Sequence, residues 1–129
     1  NTTLDFQPSQ GLEKLYVDEI QIQQILVNLV KNSLDAIAES GQADGRIEIR
    51  VTQSSNEALI SVSDNGGGVP EADRGRLFES FFTTKARGVG LGLSICRSIA
   101  AAHGGNLQYS AEEKGGSRFT LSLPLEFIG

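Results

Sequence analysis

The sequence predicts an α+β sandwich with its helices gathered on one face of a single sheet. Three observations carry that expectation. Residues 46–53 and 58–64 alternate apolar and polar side chains around a turn-like stretch at 54–57, the pattern of a half-buried hairpin. After Asp18, apolar residues recur at intervals of three and four up to Gly41, which is helical spacing. A second alternating pair, 106–111 and 117–123, surrounds Lys114, Gly115 and Gly116.

The remaining elements follow in order. Residues 2–6 are expected as a short edge strand and 12–17 as a second, with the turn chemistry of Pro8 to Gly11 between them. Asp18 is a suitable N-cap for the long helix, whose apolar positions are Ile20, Ile25, Leu26, Leu29, Val30, Leu34 and Ile37. Gly66 to Gly68 and Pro70 stop the second hairpin strand, and a short helical stretch is expected over 71–78. Residues 81–92 carry many glycines and little periodicity, so a mobile loop is expected there. Residues 93–103 read as a helix that ends at Gly104 and Gly105, glycine being the usual residue after a helix C-terminus.

A chain of 129 residues suits one domain with one core, and residues 1–129 are read as that domain. No long uninterrupted apolar segment predicts a membrane span, and the polar start does not resemble a secretory signal. The single cysteine, Cys96, cannot make an internal disulfide, and no Cys/His cluster has zinc spacing. A reducing, cytoplasmic setting is therefore expected. Net charge is −5 without a basic stripe, which disfavours nucleic acid as a partner.

Four groups of residues could carry chemistry. Asn28 and Asn32 lie one helical turn apart, so their amides leave the long helix in one direction, with Asp35 near the same edge. Polar residues on such helices mostly face water, yet Leu29, Val30 and Leu34 surround this pair, and magnesium accepts a few protein oxygens beside phosphates. Asp64 ends a strand just before Gly66, Gly67 and Gly68. The run suits a plain turn, but a strand-end carboxylate can also accept from an exocyclic amine while glycines let a flat ring approach the backbone. Gly88, Gly90 and Gly92 run into a helix with Val89, Leu91 and Leu93 between and after them, a pattern that can aim backbone N–H groups at an anion. It is neither a dinucleotide fingerprint nor a Walker sequence. Thr83, Thr84 and Lys85 precede it, and Lys85 is either a solvated charge or a partner for a terminal phosphoryl group.

Taken in order, Asn28 to Asn32, Asp64-x-Gly66-x-Gly68, Leu77-Phe78-Glu79-x-Phe81-Phe82 and Gly88-x-Gly90-x-Gly92-Leu93 resemble the N, G1, F and G2 boxes of sensor histidine kinases. The likeness spans residues 24–105, and Gly115-Gly116-Ser117-x-Phe119-x-Leu121-x-Leu123-Pro124 looks like the terminal strand of that family. Phe81-Phe82-Thr83-Thr84-Lys85 followed by a short loop is similar to the kinases that sense nitrogen, oxygen or dicarboxylates. The resemblance implies the Bergerat-type, GHKL ATP-binding fold: a two-layer α/β sandwich, with a mixed sheet under helices and nucleotide between the helices and a lid. It implies ATP or ADP and Mg2+ as ligands. Asp64 would accept from the adenine amine, with Gly66 and Gly68 beside it. Asn32, assisted by Asn28, would hold the metal. Gly88, Gly90, Leu91 and Gly92 would supply amides to the phosphates, and Lys85 would neutralise the γ-phosphate. Val69, Leu93 and Phe119 would line the adenine slot, and Ser117 would reach adenine through water.

Two departures shape the functional expectation. Hydrolytic relatives such as gyrase and mismatch-repair ATPases place a glutamate four residues before the metal-binding asparagine. Here that position is Asn28, which cannot act as a base, so hydrolysis should be poor and transfer to a neutral imidazole suits the site better. His103 is the only histidine; it lacks the acidic residue and helix of a phospho-acceptor box and is expected to cap or pack. Cys96 is expected in the core. The accepting histidine, the dimerisation helices and any sensor are therefore expected outside this sequence, upstream of Asn1. The expected partners are a dimerisation and histidine-phosphotransfer domain and then a response regulator receiver domain; the isolated domain is expected to be monomeric and to touch no membrane. The alternatives are a gyrase-like or mismatch-repair-like ATPase and a nucleotide-binding module without catalysis.

Overall fold

The computed structural model describes residues 2–7, 18–54, 56–79, 92–113 and 115–124. The strands are β1 (Thr2–Gln7), β2 (Gly45–Gln53), β3 (Glu57–Asp64), β4 (Asn106–Ala111) and β5 (Ser117–Pro124), and the helices are α1 (Glu19–Ser40) and α2 (Gly92–Ala102). They form one five-stranded sheet in the order β1-β2-β3-β5-β4. The β1-β2 pair is parallel and the other three are antiparallel, so the sheet is mixed, with β1 at its edge. The expected strand at 12–17 lies outside the described residues.

Alternation explains which face is covered. In β3 the buried residues are Ala58, Ile60, Val62 and Asp64, and in β5 they are Ser117, Phe119, Leu121 and Leu123. The register sets Val62 beside Phe119, Ile60 beside Leu121 and Ala58 beside Leu123, and side chains two apart share a sheet face. Onto that face α1 lays Ile22, Ile25, Leu29 and Ile37, and α2 lays Cys96 and Ala100. The result is two layers around one core.

Each helix end has a local cause. Asp18 caps α1, its carboxylate accepting from the Ile20 and Gln21 amides at 3.0 and 3.2 Å, and Gly41 leaves the helix with φ of 73°. Beyond α2, Gly104 has φ of 74°. The Gly105 amide donates to the Ala100 carbonyl at 2.8 Å and the Gly104 amide to Ala101 at 3.0 Å, the pair of bonds that closes a glycine-terminated helix. The stretch expected to be helical to residue 78 is a 3-10 helix over Glu71–Arg76. Gly75 lowers its helical propensity, and Phe78 beyond it turns inward, edge-on to Phe119 with centroids 6.3 Å apart.

Candidate functional site

Three buried side chains among the described residues are polar or charged: Ser33, Asp64 and Ser117. Each occupies a position where its element's period calls for an apolar residue. Ser33 interrupts the α1 stripe between Leu29 and Ile37, Asp64 ends the inward row of β3, and Ser117 begins that of β5. All three meet at one place, the end of the sheet beside α1.

Asp64 is the centre of this cluster and is only 5% exposed. Its Oδ1 accepts from the Gly66 amide at 2.9 Å. Burial pushes its carboxyl above the usual aspartate value of 3.8, because a low-dielectric setting disfavours the charged form. Donors from the Gly66 amide, the Ser33 hydroxyl and the Ser117 amide oppose that rise, whereas the nearby charge of Glu112 adds to it. The Ser33 hydroxyl nonetheless makes no hydrogen bond of standard geometry, although it is fully buried.

The chain around Asp64 is braced on every side. Asn65 accepts from the Arg46 amide at 2.7 Å and donates to the Asp44 carbonyl at 2.8 Å, tying the end of β3 to the start of β2. A Cβ on Gly66 would come within 2.8 Å of the Ala36 carbonyl carbon, so only glycine lets this loop lie against α1. Gly116, with φ of 99°, abuts the Asp64 carbonyl oxygen, which a side chain there would overlap. Farther along, the Tyr109 hydroxyl accepts from the Val69 amide at 3.3 Å and from Ser117 Oγ at 3.4 Å, clipping the glycine loop to β4 and β5. Gly68, φ 74°, packs against the Gly116 backbone.

On the helices, Asn28 and Asn32 are both half-buried, as is Asp35. The Asn28 side chain meets the thiol of Cys96 on α2. Burial raises that thiol's pKa and the contact with Asn28 lowers it, so Cys96 is a protonated core residue and not a nucleophile. Leu93 packs partly buried against the core, and Phe119 is 1% exposed within it. Arg97 lies over the Phe78 ring at 4.4 Å, joining α2 to the segment after the 3-10 helix. His103 behaves as a packing residue: Nε2 accepts from the Asp18 amide at 3.1 Å, so Nδ1 carries the proton and donates to the Ile99 carbonyl at 2.9 Å. One ring thereby joins the end of α2 to the start of α1.

The structure therefore brings Asp64, Gly66, Gly68, Val69, Ser117 and Phe119 together at the sheet end, with Asn28, Asn32 and Asp35 on the adjoining helix and Gly92 and Leu93 at the start of α2. Phe81, Thr83, Thr84, Lys85, Gly88, Val89, Gly90 and Leu91 lie outside the described residues. Sequence reasoning passed over Ser33, Asn65 and Tyr109. Ser33 left a signal, a hydroxyl at the core phase of the α1 period; Asn65 and Tyr109 left none, because their partners are distant in sequence. Among the described residues no group of three or more His, Cys, Asp or Glu side chains could hold a metal. No helix among them is long and apolar enough to cross a membrane.

Residues 17–127 match the family described as histidine kinase-, DNA gyrase B-, and HSP90-like ATPase. The chain is 39% identical over 96% of its length to the sensor protein FixL of Bradyrhizobium diazoefficiens, spanning 24% of that protein. It is 39% identical over 84% of its length to the C4-dicarboxylate transport sensor protein DctS of Rhodobacter capsulatus, spanning 16% of it. It thus covers about a quarter or less of these relatives. Among solved structures, the catalytic domain of histidine kinase ThkA, in nucleotide-free form, superposes with a TM-score of 0.83 at 32% identity, over 95% of this chain and 80% of that one. Full-length ShkA in complex with AMPPNP gives 0.83 at 27% identity, over 99% of this chain and 26% of that one. With the boxes in order and the mixed two-layer fold in place, this chain belongs to the histidine kinase-, DNA gyrase B- and HSP90-like ATPase family, as a nucleotide-binding catalytic domain of the histidine kinase type.

Proposed function

We propose that this domain binds magnesium ATP and delivers the γ-phosphoryl group to a histidine on a separate dimerisation domain, the first step of a two-component phosphorelay that passes on to a response regulator receiver domain. The observation that carries the reading is the buried carboxylate of Asp64 at a strand end, beside a glycine loop packed closely against α1 and Gly116. A near-fully desolvated acid is costly to keep, and an acceptor for a purine amine gives that cost a use.

The residues fit both ligands. Asp64 accepts from the adenine amine, with Gly66 and Gly68 beside the ring, Val69, Leu93 and Phe119 along its faces, and Ser117 reaching it through water. Asn32, with Asn28 beside it and Asp35 near the same edge, would hold the cation through amide oxygen, a ligand that magnesium accepts beside phosphate and water. Bound magnesium would neutralise phosphate charge as the phosphoryl group leaves. As the resemblance implies, Gly88, Val89, Gly90, Leu91 and Gly92 would donate amides to the phosphates. Lys85 pairs with the γ-phosphate, and Phe81, Thr83 and Thr84 border it. Asn28, lodged against Cys96, offers no base to activate water, which favours transfer over hydrolysis.

The names of the relatives support this reading: FixL and DctS are sensor proteins, ThkA is a histidine kinase, and ShkA is in complex with AMPPNP. The test mixes the purified domain, γ-labelled ATP, magnesium and separately made acceptor domains. Label should appear on an acceptor histidine. Absence of transfer with every acceptor overturns the kinase assignment, and rapid phosphate release by the domain alone would favour the ATPase alternative.

A further inference from the structure

We propose that Arg74 and Tyr109 are positioning residues of the nucleotide site, which together clamp Val69 by both its backbone groups and hold it at the distance from Phe119 that a purine ring requires. The proposal rests on the reading of Val69 and Phe119 as walls of the base slot, and it adds two residues that act through Val69.

The contacts close on themselves. The Val69 amide donates to the Tyr109 hydroxyl at 3.3 Å, and the Val69 carbonyl accepts from Arg74 Nε at 3.1 Å. The two holders also meet: the Arg74 guanidinium lies over the Tyr109 ring, 5.9 Å from its centroid, within reach of cation–π attraction. Arg74 comes from the 3-10 helix and Tyr109 from β4, so Val69 is fixed from two separate elements.

Packing alone explains neither residue. Tyr109 lies in the inward phase of β4, two residues after the buried Leu107, and its ring meets Phe119 edge-on with centroids 5.3 Å apart. Phenylalanine would supply that contact equally well. The hydroxyl is what differs, and it bonds to Val69 and Ser117, both residues of the proposed slot. Arg74 is exposed, and an exposed cation over a ring adds little to stability; its effect falls instead on where Val69 sits.

The physical consequence is a preset gap. Tyr109 spans the back of the slot, its ring against one wall and its hydroxyl against the other. Val69, itself half-buried, then needs no rearrangement when a base enters, which lowers the ordering cost of binding. Without the hydroxyl, the Val69 amide loses its acceptor, the wall drifts from Phe119, and the base must restore the gap at the expense of affinity. That penalty grows with the area of ring face between the walls. It spares the triphosphate, because the asparagine pair proposed to hold the metal lies on α1.

The experiment compares wild type, Tyr109→Phe, Arg74→Ala and the double variant for affinity toward ATP and cytidine triphosphate, with magnesium present. Cytidine triphosphate also carries an exocyclic amine, but on a single ring with less face to press on Val69. Urea unfolding without nucleotide accompanies each. Tyr109→Phe should bind ATP about fivefold more weakly, the worth of one neutral hydrogen bond, and cytidine triphosphate nearly as well as wild type does. Arg74→Ala should show the same bias to a smaller degree. Because both side chains act on one residue, the double variant should lose less than the product of the single losses. Unchanged ATP affinity, equal losses for the two nucleotides, or single losses that simply multiply overturn the proposal while leaving the ATP site intact. A clear drop in stability with an unaltered ratio of the two affinities makes the pair structural and overturns it too. Failure of wild type to bind ATP saturably overturns the slot reading and this one with it.

Discussion

Replacing Asp64 by asparagine separates what the carboxylate does for the ligand from what it costs the fold. In the nucleotide-free protein the side chain is 5% exposed and its carboxyl is raised above 3.8, chiefly by burial. A raised native value means that the folded state holds a proton more readily than the unfolded one. Stability therefore falls as pH rises from 3.8 through the raised value, and at neutral pH the ionised group is a net cost. Asparagine keeps an oxygen for the Gly66 amide, now 2.9 Å from Oδ1, and removes the charge. Nucleotide-free Asp64→Asn should thus be at least as stable as wild type at pH 7. Binding should move the other way. The variant loses a charge-assisted bond to the purine amine and turns an amide N–H2 toward another donor, together about 2–4 kcal/mol, or about 30- to 700-fold in affinity. Titration calorimetry with magnesium ATP and urea unfolding without nucleotide read the two effects separately. An affinity within about threefold of wild type, a difference under 1 kcal/mol, would refute amine recognition by Asp64. A clear loss of stability at pH 7 would refute the cost assigned to its burial.

Three further outcomes are expected. As pH is lowered, the affinity gap between wild type and Asp64→Asn should begin to narrow at a pH above 3.8, because protonation removes the acceptor earlier than for an ordinary aspartate; a constant gap down to that value contradicts the raised carboxyl. Gly116→Ala places a Cβ at φ 99° and into the Asp64 carbonyl oxygen, so chemical denaturation should register a loss of more than about 2 kcal/mol, and wild-type stability would disprove the close approach. His103→Ala removes the ring that joins Asp18 to Ile99; hydrogen exchange at the Asp18 amide should quicken and stability should drop by about 1 kcal/mol, whereas unaltered exchange at that amide would deny the link.

Much of the architecture was legible in short stretches of chain. Asp18 and Gly41 bound α1 because capping and left-handed backbone are local chemistry, and the alternation of 58–64 and 117–123 marked strands because a pleated chain has a period of two. Ordered motifs did the same for the family: Asp64, Gly66 and Gly68 after Asn28 and Asn32 pointed to nucleotide before any contact was known. The parallel pairing of β1 with β2 was not legible, since α1 separates the two strands and nothing local specifies which edge a strand joins. Asn65 and Tyr109 were equally silent, their side chains being read only against Arg46, Asp44, Val69 and Ser117. By itself the sequence determined where the long helix and the two hairpins lie and which acid and amides were candidates for chemistry. Only tertiary structure decided that Ser33, Asp64 and Ser117, from three separate elements, share one desolvated point, because burial and the energy of a charge depend on everything that packs around it.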